Sequence, residues 1–66
     1  MRVTVNGEAR ELPDDATVAS VVAQITSAAR GVAVALNDEV VSRADWARTA
    51  VREADRVEIL TAVQGG

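Results

Sequence analysis

Apolar and polar residues alternate from Met1 to Asn6, with Met1, Val3 and Val5 on one side and Arg2, Thr4 and Asn6 on the other. A period of two is the signature of a strand buried on one face. Asn6-Gly7 then supplies a two-residue turn at positive φ, which predicts a tight hairpin. Arg10-Glu11-Leu12 reads as the return strand, ended by Pro13, with Asp14-Asp15-Ala16 as loop. The period changes after Thr17. Val18, Val21, Val22, Ile25 and Ala28/Ala29 recur at helical steps, predicting an amphipathic helix of about three turns. Thr17 suits the N-cap, but Ser20 in place of Glu leaves only half a capping box, and Gly31 suits the C-terminal cap. The β-branched content gives this helix poor intrinsic propensity, so packing against a sheet must hold it.

Alternation returns at Val32, Val34 and Leu36, interleaved with Ala33 and Ala35. Asn37-Asp38 is a turn signal and Glu39-Val40-Val41 a short return. Ser42 to Ala50 is irregular, with Trp46 as one large anchor and Asp45 placed to cap a short turn. Glu53-Ala54-Asp55 leads into a strand-like run from Arg56 to Val63, where Val57 and Ile59 face one way and Glu58 and Leu60 the other. Two hairpins and one helix cannot cover both faces of a sheet. The expected fold is therefore α+β, a mixed sheet with one main helix across one face. Its first and last strands would lie side by side in the middle, parallel, in a β-grasp (ubiquitin-like) roll. The expected domain is 1–62, followed by a flexible tail at 63–66. The expected core is Val3, Val5, Leu12, Val18, Val21, Val22, Ile25, Val34, Leu36, Val51, Val57 and Ile59, closed at one end by Trp46.

Composition narrows the chemistry. The 66 residues make one domain, and neither cysteine nor histidine is present. Disulfides, thiolate metal sites, the commonest metal ligand and the usual general base are all excluded. Asp14-Asp15 and Asp38-Glu39 are sequence neighbours on turns, a poor arrangement for a metal or a carboxylate pair. The formal charge of −3 argues against nucleic acid. The longest apolar stretch, Val32 to Leu36, is too short for a bilayer, and the N-terminus runs directly into a strand pattern with no signal peptide. A cytoplasmic protein is expected. All seven basic residues are arginine, so no side-chain amine is available to accept isopeptide-linked copies. A carrier monomer is favoured over a chain-building modifier.

The candidate reactive site is the end of the sequence. Gly65 and Gly66 follow the strand-like run with only Gln64 after Val63. At glycine usage of about 7%, a terminal pair arises by chance in about 0.5% of chains. Without Cβ atoms on its last two residues, the stem formed by Val63, Gln64, Gly65 and Gly66 suits entry into another protein's active site. A chain-terminal carboxyl ordinarily loses its proton at about pH 3.5, so Gly66 ends in an anion at neutral pH. The alternative is an ordinary chain end.

A solvated sheet face should be polar, yet Ala33, Ala35, Leu60 and Ala62 form a smooth apolar patch running towards the tail. It reads as a partner-docking platform. The competing account is that alanines are tolerated in strands and Leu60 is a lone exposed apolar residue. Asp38, Glu39, Glu53, Asp55 and Glu58 form either an acidic rim for Arg-rich partners or a solvated surface. Trp46 reads as a core anchor ahead of a partner contact.

Several stretches together resemble the ThiS family of sulfur carriers. They are Val-Asn-Gly-Glu at 5–8, Glu-Leu-Pro, Thr-Val, Gly-Val-Ala-Val-Ala-Leu-Asn-Asp-Glu-Val-Val at 31–41, Arg43 with Trp46, and Asp-Arg-Val-Glu-Ile-Leu-Thr-Ala-Val-Gln-Gly-Gly at 55–66. The resemblance spans nearly the whole chain. Two positions depart from the family pattern: Ser42 stands where Pro is usual, and Ala54 where Gly is usual. A positive φ at Ala54 would cost about 1 kcal/mol or more. The resemblance implies that an ATP-dependent activating enzyme adenylates Gly66. Persulfide sulfur then displaces AMP to leave a thiocarboxylate, and the sulfur passes to thiazole synthase for thiamin. On this reading the chain is a substrate and not an enzyme. It binds no cofactor, and the partner supplies ATP handling and magnesium. Carriers for molybdopterin or tRNA thiolation, and a non-covalent ubiquitin-like docking module, are the alternatives.

Overall fold

The computed structural model describes residues 1–28 and 30–62. Five strands and two helical segments follow in the order β1 (Arg2–Val5), β2 (Glu8–Glu11), α1 (Val18–Ile25), β3 (Val32–Leu36), β4 (Glu39–Val41), a 3₁₀ helix (Arg43–Arg48) and β5 (Arg56–Thr61). The sheet order is β2-β1-β5-β3-β4. β1 and β5 are parallel at the centre, and every other neighbouring pair is antiparallel. This is the mixed sheet expected from the alternation pattern. β2 starts two residues earlier than the sequence pattern indicated, because the two-residue turn at Asn6-Gly7 brings Glu8 directly opposite Val5.

One face of the sheet is the core. Val3, Val5, Val34, Val57 and Ile59 point into it, and Val18, Val21 and Val22 of α1 pack from above. Leu12, Ala16, Val51 and Trp46 close its margin. Ile25 and Leu36, expected in the core, are only half-buried against it, and Ala16 is the buried residue the pattern did not single out. The Trp46 ring is anchored as expected, its indole N–H donating to the Val41 carbonyl at 2.9 Å. The Arg43 guanidinium lies 5.3 Å above the ring centre, within cation–π reach.

α1 differs from expectation at both ends. At the start, Ser20 completes the capping box: its hydroxyl accepts from the Thr17 amide at 2.9 Å, while the Thr17 hydroxyl accepts from the Ser20 amide at 3.2 Å. A serine hydroxyl thus replaces the usual Glu or Gln carboxyl oxygen. At the finish, the helix stops at Ile25, with Thr26 as C-cap in an extended conformation, φ −149°. Thr26 then binds locally, its hydroxyl accepting from the Ala28 amide at 3.0 Å, which competes with helical continuation. Gly31 is not the helix cap; its φ of +71° turns the chain into β3. Ala29, expected on the apolar stripe, lies outside the described residues. The stretch read as irregular after Ser42 is the 3₁₀ helix. Asp45 sits inside it and not at its N-cap, accepting from the Ser42 hydroxyl at 3.1 Å and from Arg48 at 2.7 Å. No helix among the described residues is long and apolar enough to cross a membrane.

Candidate functional site

The sheet face opposite α1 is set by the β3–β5 register. Ala33 stands opposite Leu60 and Ala35 opposite Glu58, so both alanines and Leu60 project away from the core. On the other edge of β3, Ala35 stands opposite Val40. Ala33, Ala35, Val40 and Leu60 therefore line one shallow apolar groove with Asn6, Val34 and Glu58. Leu60 is 72% exposed and Val40 84%, the two large apolar residues left uncovered among the described residues. Ala33, Ala35 and Leu60 are thus brought together as the sequence indicated. Ala62 is not part of the groove; it sits exposed at the end of β5, one step past the named strand.

Val40 is the member that sequence reading passed over. A two-residue turn at Asn37-Asp38 fixes the pairing of the flanking strands, so Val40 must share a face with Ala35. That register was the available signal.

The groove floor is held by two asparagines at turns. Asn6 and Asn37 both have φ of 51°, with Gly7 and Asp38 following at 82° and 72°, so each hairpin closes with two left-handed residues. Their side chains then act as substitute peptide groups. The Asn6 carboxamide oxygen accepts from the Ile59 amide at 2.7 Å, and its NH₂ donates to the Ile59 carbonyl at 3.2 Å. The Asn37 oxygen accepts from the Arg56 amide at 2.9 Å, and its NH₂ donates to Asp55 at 3.0 Å. β5 is therefore clamped at two points, and the Asn6 amide, although it lines the groove, is occupied by backbone.

The acidic rim is mostly committed inside the molecule. Glu53 accepts from the Arg2 amide at 3.0 Å, and Asp55 accepts from the Arg52 amide at 2.7 Å. Asp38 pairs with Arg56 at 2.8 Å, and the hydrogen bond and charge of that guanidinium hold its carboxyl below the ordinary carboxylate range. Glu58 and Glu39 remain beside the groove, one lining it and the other exposed on β4.

At the far end of β5 the Ala62 amide donates to the Gly31 carbonyl at 2.6 Å. Val63, Gln64, Gly65 and Gly66, the expected stem and reactive terminus, lie outside the described residues.

Comparison with known proteins agrees with this layout. The sequence profile of the ThiS family matches residues 3–66. The chain is 27% identical over 66 residues to the sulfur carrier protein ThiS of Escherichia coli (strain K12), covering all of both. It is 33% identical over its whole length to a thiazole synthase of Paramagnetospirillum magneticum, but spans only 20% of that longer protein. Among solved structures, it superimposes with a TM-score of 0.82 on the thiamine biosynthesis protein ThiS from Geobacter metallireducens, at 32% identity and covering all of both chains. A profile match over nearly the whole chain, joined to the same β-grasp fold, places the protein in the ThiS family.

Proposed function

We propose that this protein is a sulfur carrier of thiamin biosynthesis, and that the Gly66 carboxylate is its reacting group. The observation that carries the reading is the family match, which runs through to residue 66 and so takes in both terminal glycines.

The chemistry divides between carrier and partners. A Gly66 carboxylate oxygen attacks the α-phosphorus of ATP in the activating enzyme. The bridging bond to the β-phosphate breaks and pyrophosphate leaves. The terminal sulfur of a persulfide donor then attacks the acyl carbon, and AMP departs with its oxygen. A thiol next cleaves the sulfur–sulfur bond, leaving a thiocarboxylate on Gly66 and a disulfide on the donor side. Adenylation is needed because a free carboxylate is a poor acyl donor. The thiols must come from the partners, since the chain has no cysteine, and the partners also supply the groups that hold ATP and magnesium. The carrier contributes the carboxylate and a surface to be recognised by.

That surface is the groove of Ala33, Ala35, Val40 and Leu60. Burying a side chain such as Leu60 is worth about 1.5–3 kcal/mol, enough to anchor a transient complex. The activating enzyme and thiazole synthase are the proposed occupants. The synthase reading draws support from the Paramagnetospirillum relative, a thiazole synthase of which one fifth corresponds to this whole chain.

Intact-mass measurement tests the proposal. The protein is incubated with the activating enzyme, ATP, magnesium and a persulfide source. Exchange of one oxygen for sulfur at the C-terminus is expected, and Gly66→Val should abolish it without shifting the melting temperature. A Gly66→Val protein that is still fully thiolated removes Gly66 from the mechanism.

A further inference from the structure

We propose that Glu58 makes the outer groove selective for a cationic partner surface: the activating enzyme must set a guanidinium or ammonium group on the Glu58 carboxylate while an apolar side chain covers Leu60. The inference rests on the function proposed above and names the chemistry that its docking step requires. The activating enzyme is the partner to which it applies, since that enzyme has to receive the carrier before any sulfur is loaded.

Among the described strand residues, the charged side chains on this face of the sheet are paired with one exception. Arg2 and Glu11 stand opposite each other on β1 and β2 and meet at 3.3 Å. Arg56 holds Asp38 through both terminal nitrogens, at 2.8 and 3.3 Å. Glu58 stands opposite Ala35, exposed and lining the groove. Among the described residues it is in no ion pair. Arg56, two residues away on the same face of β5, has its guanidinium fork committed to Asp38.

No other side chain lining the groove can compensate that charge. Ala33, Ala35, Val40 and Leu60 offer only hydrocarbon. The Asn6 carboxamide is taken up by the Ile59 backbone, at 2.7 and 3.2 Å. Water serves the carboxylate while the groove is open. A partner that covers Leu60 removes this water, and an unpaired charge so buried costs more than one leucine contact returns. A cation brought by the partner offsets that cost through a charge-assisted hydrogen bond. A purely apolar or an acidic face is thereby rejected. Glu58 and Leu60 lie two residues apart, about 7 Å along the strand, so the partner's cation and apolar anchor need a matching separation.

The experiment is calorimetric titration of the activating enzyme with wild-type, Glu58→Gln and Glu8→Gln carriers, at low and at high salt. Glu8 is the control for net charge: it stands opposite the buried Val5, on the edge strand β2 away from the groove. Both positions are exposed, so neither substitution threatens folding. Glu58→Gln should raise Kd at least about ten-fold and flatten its dependence on salt. Glu8→Gln should keep the wild-type Kd. Unchanged or tighter binding by Glu58→Gln would mean that the carboxylate is only a solvated surface group, and overturns the assignment. So does an undiminished salt dependence, or an equal loss in Glu8→Gln. Sulfur-for-oxygen exchange on the wild-type protein, read by intact mass in the same preparation, tests the carrier function separately. Its absence overturns that function and this assignment with it, whereas exchange with an indifferent Glu58→Gln overturns the assignment alone.

Discussion

Ala54 has a φ of 70°, in the left-handed region that glycine occupies freely and alanine does not. The turn around it is otherwise well made. Its amide donates to the Arg2 carbonyl at 2.8 Å, and the Asp55 amide donates to the Arg52 carbonyl at 3.1 Å. These bonds hold Ala54 in place against a strain of about 1–2 kcal/mol. Replacing Ala54 by Gly removes the strain but adds freedom to the unfolded chain worth about 0.4–1 kcal/mol. A net stabilisation of about 0.5 kcal/mol is expected, a rise of about 2–4 °C in the melting temperature of a domain this size. Differential scanning calorimetry checks it, and an unchanged or lower midpoint would mean the backbone relaxes around alanine. The strain was legible as a question, since alanine replaced a familiar glycine before a strand. Asn6 and Asn37 were legible as turn residues, because left-handed positions favour them. Their grip on β5 was not. Each clamp reaches a residue 53 or 19 positions away, and pairing at that distance is decided by topology.

Among the elements, the strands are the most legible. Strict alternation shows which face is buried, and a two-residue turn fixes which residues stand opposite one another. The helix is less legible at its ends. The apolar stripe continues to Ala28, but Thr26 draws the backbone into local hydrogen bonding and the helix closes at Ile25. A single helix covers only one face of the sheet, so the outer face stays unpartnered, with Leu60 at 72% and Val40 at 84% exposure. Leu60→Glu should weaken binding to both proposed partners by about 2 kcal/mol, near thirty-fold in Kd, through lost apolar burial and a carboxylate set beside Glu58. Its own stability should move by no more than about 0.5 kcal/mol, as for other exposed sites. Val40→Glu is expected to act in the same direction. Calorimetric titration against each partner measures it, and unaltered affinity for both would free this face from the docking role.

At the scale of the whole molecule, the central feature is the parallel pair of β1 and β5, with residues 6–55 between them. Backbone hydrogen bonds from Thr4 to Asp55 at 3.0 Å and from Asn6 to Val57 at 2.9 Å join the two strands. Fold class and the central pairing of the first and last strands followed from the sequence because so few arrangements satisfy two hairpins, one helix and a single buried face. Burial at the margin, as for Ala16 and Leu36, depends on how elements abut and was not visible in the pattern. A chain cut before Arg56 loses the middle of its sheet and should show no cooperative thermal transition by circular dichroism. Retained cooperativity would mean that β1 closes on β3 without its partner. During synthesis, moreover, the ribosome makes β5 about fifty residues after β1, and non-local pairing is slow to form. Half-built chains thus lack both the leucine and the floor of the groove. A partner that docks on that groove, as proposed, would therefore meet only chains whose β5 has already been made and paired.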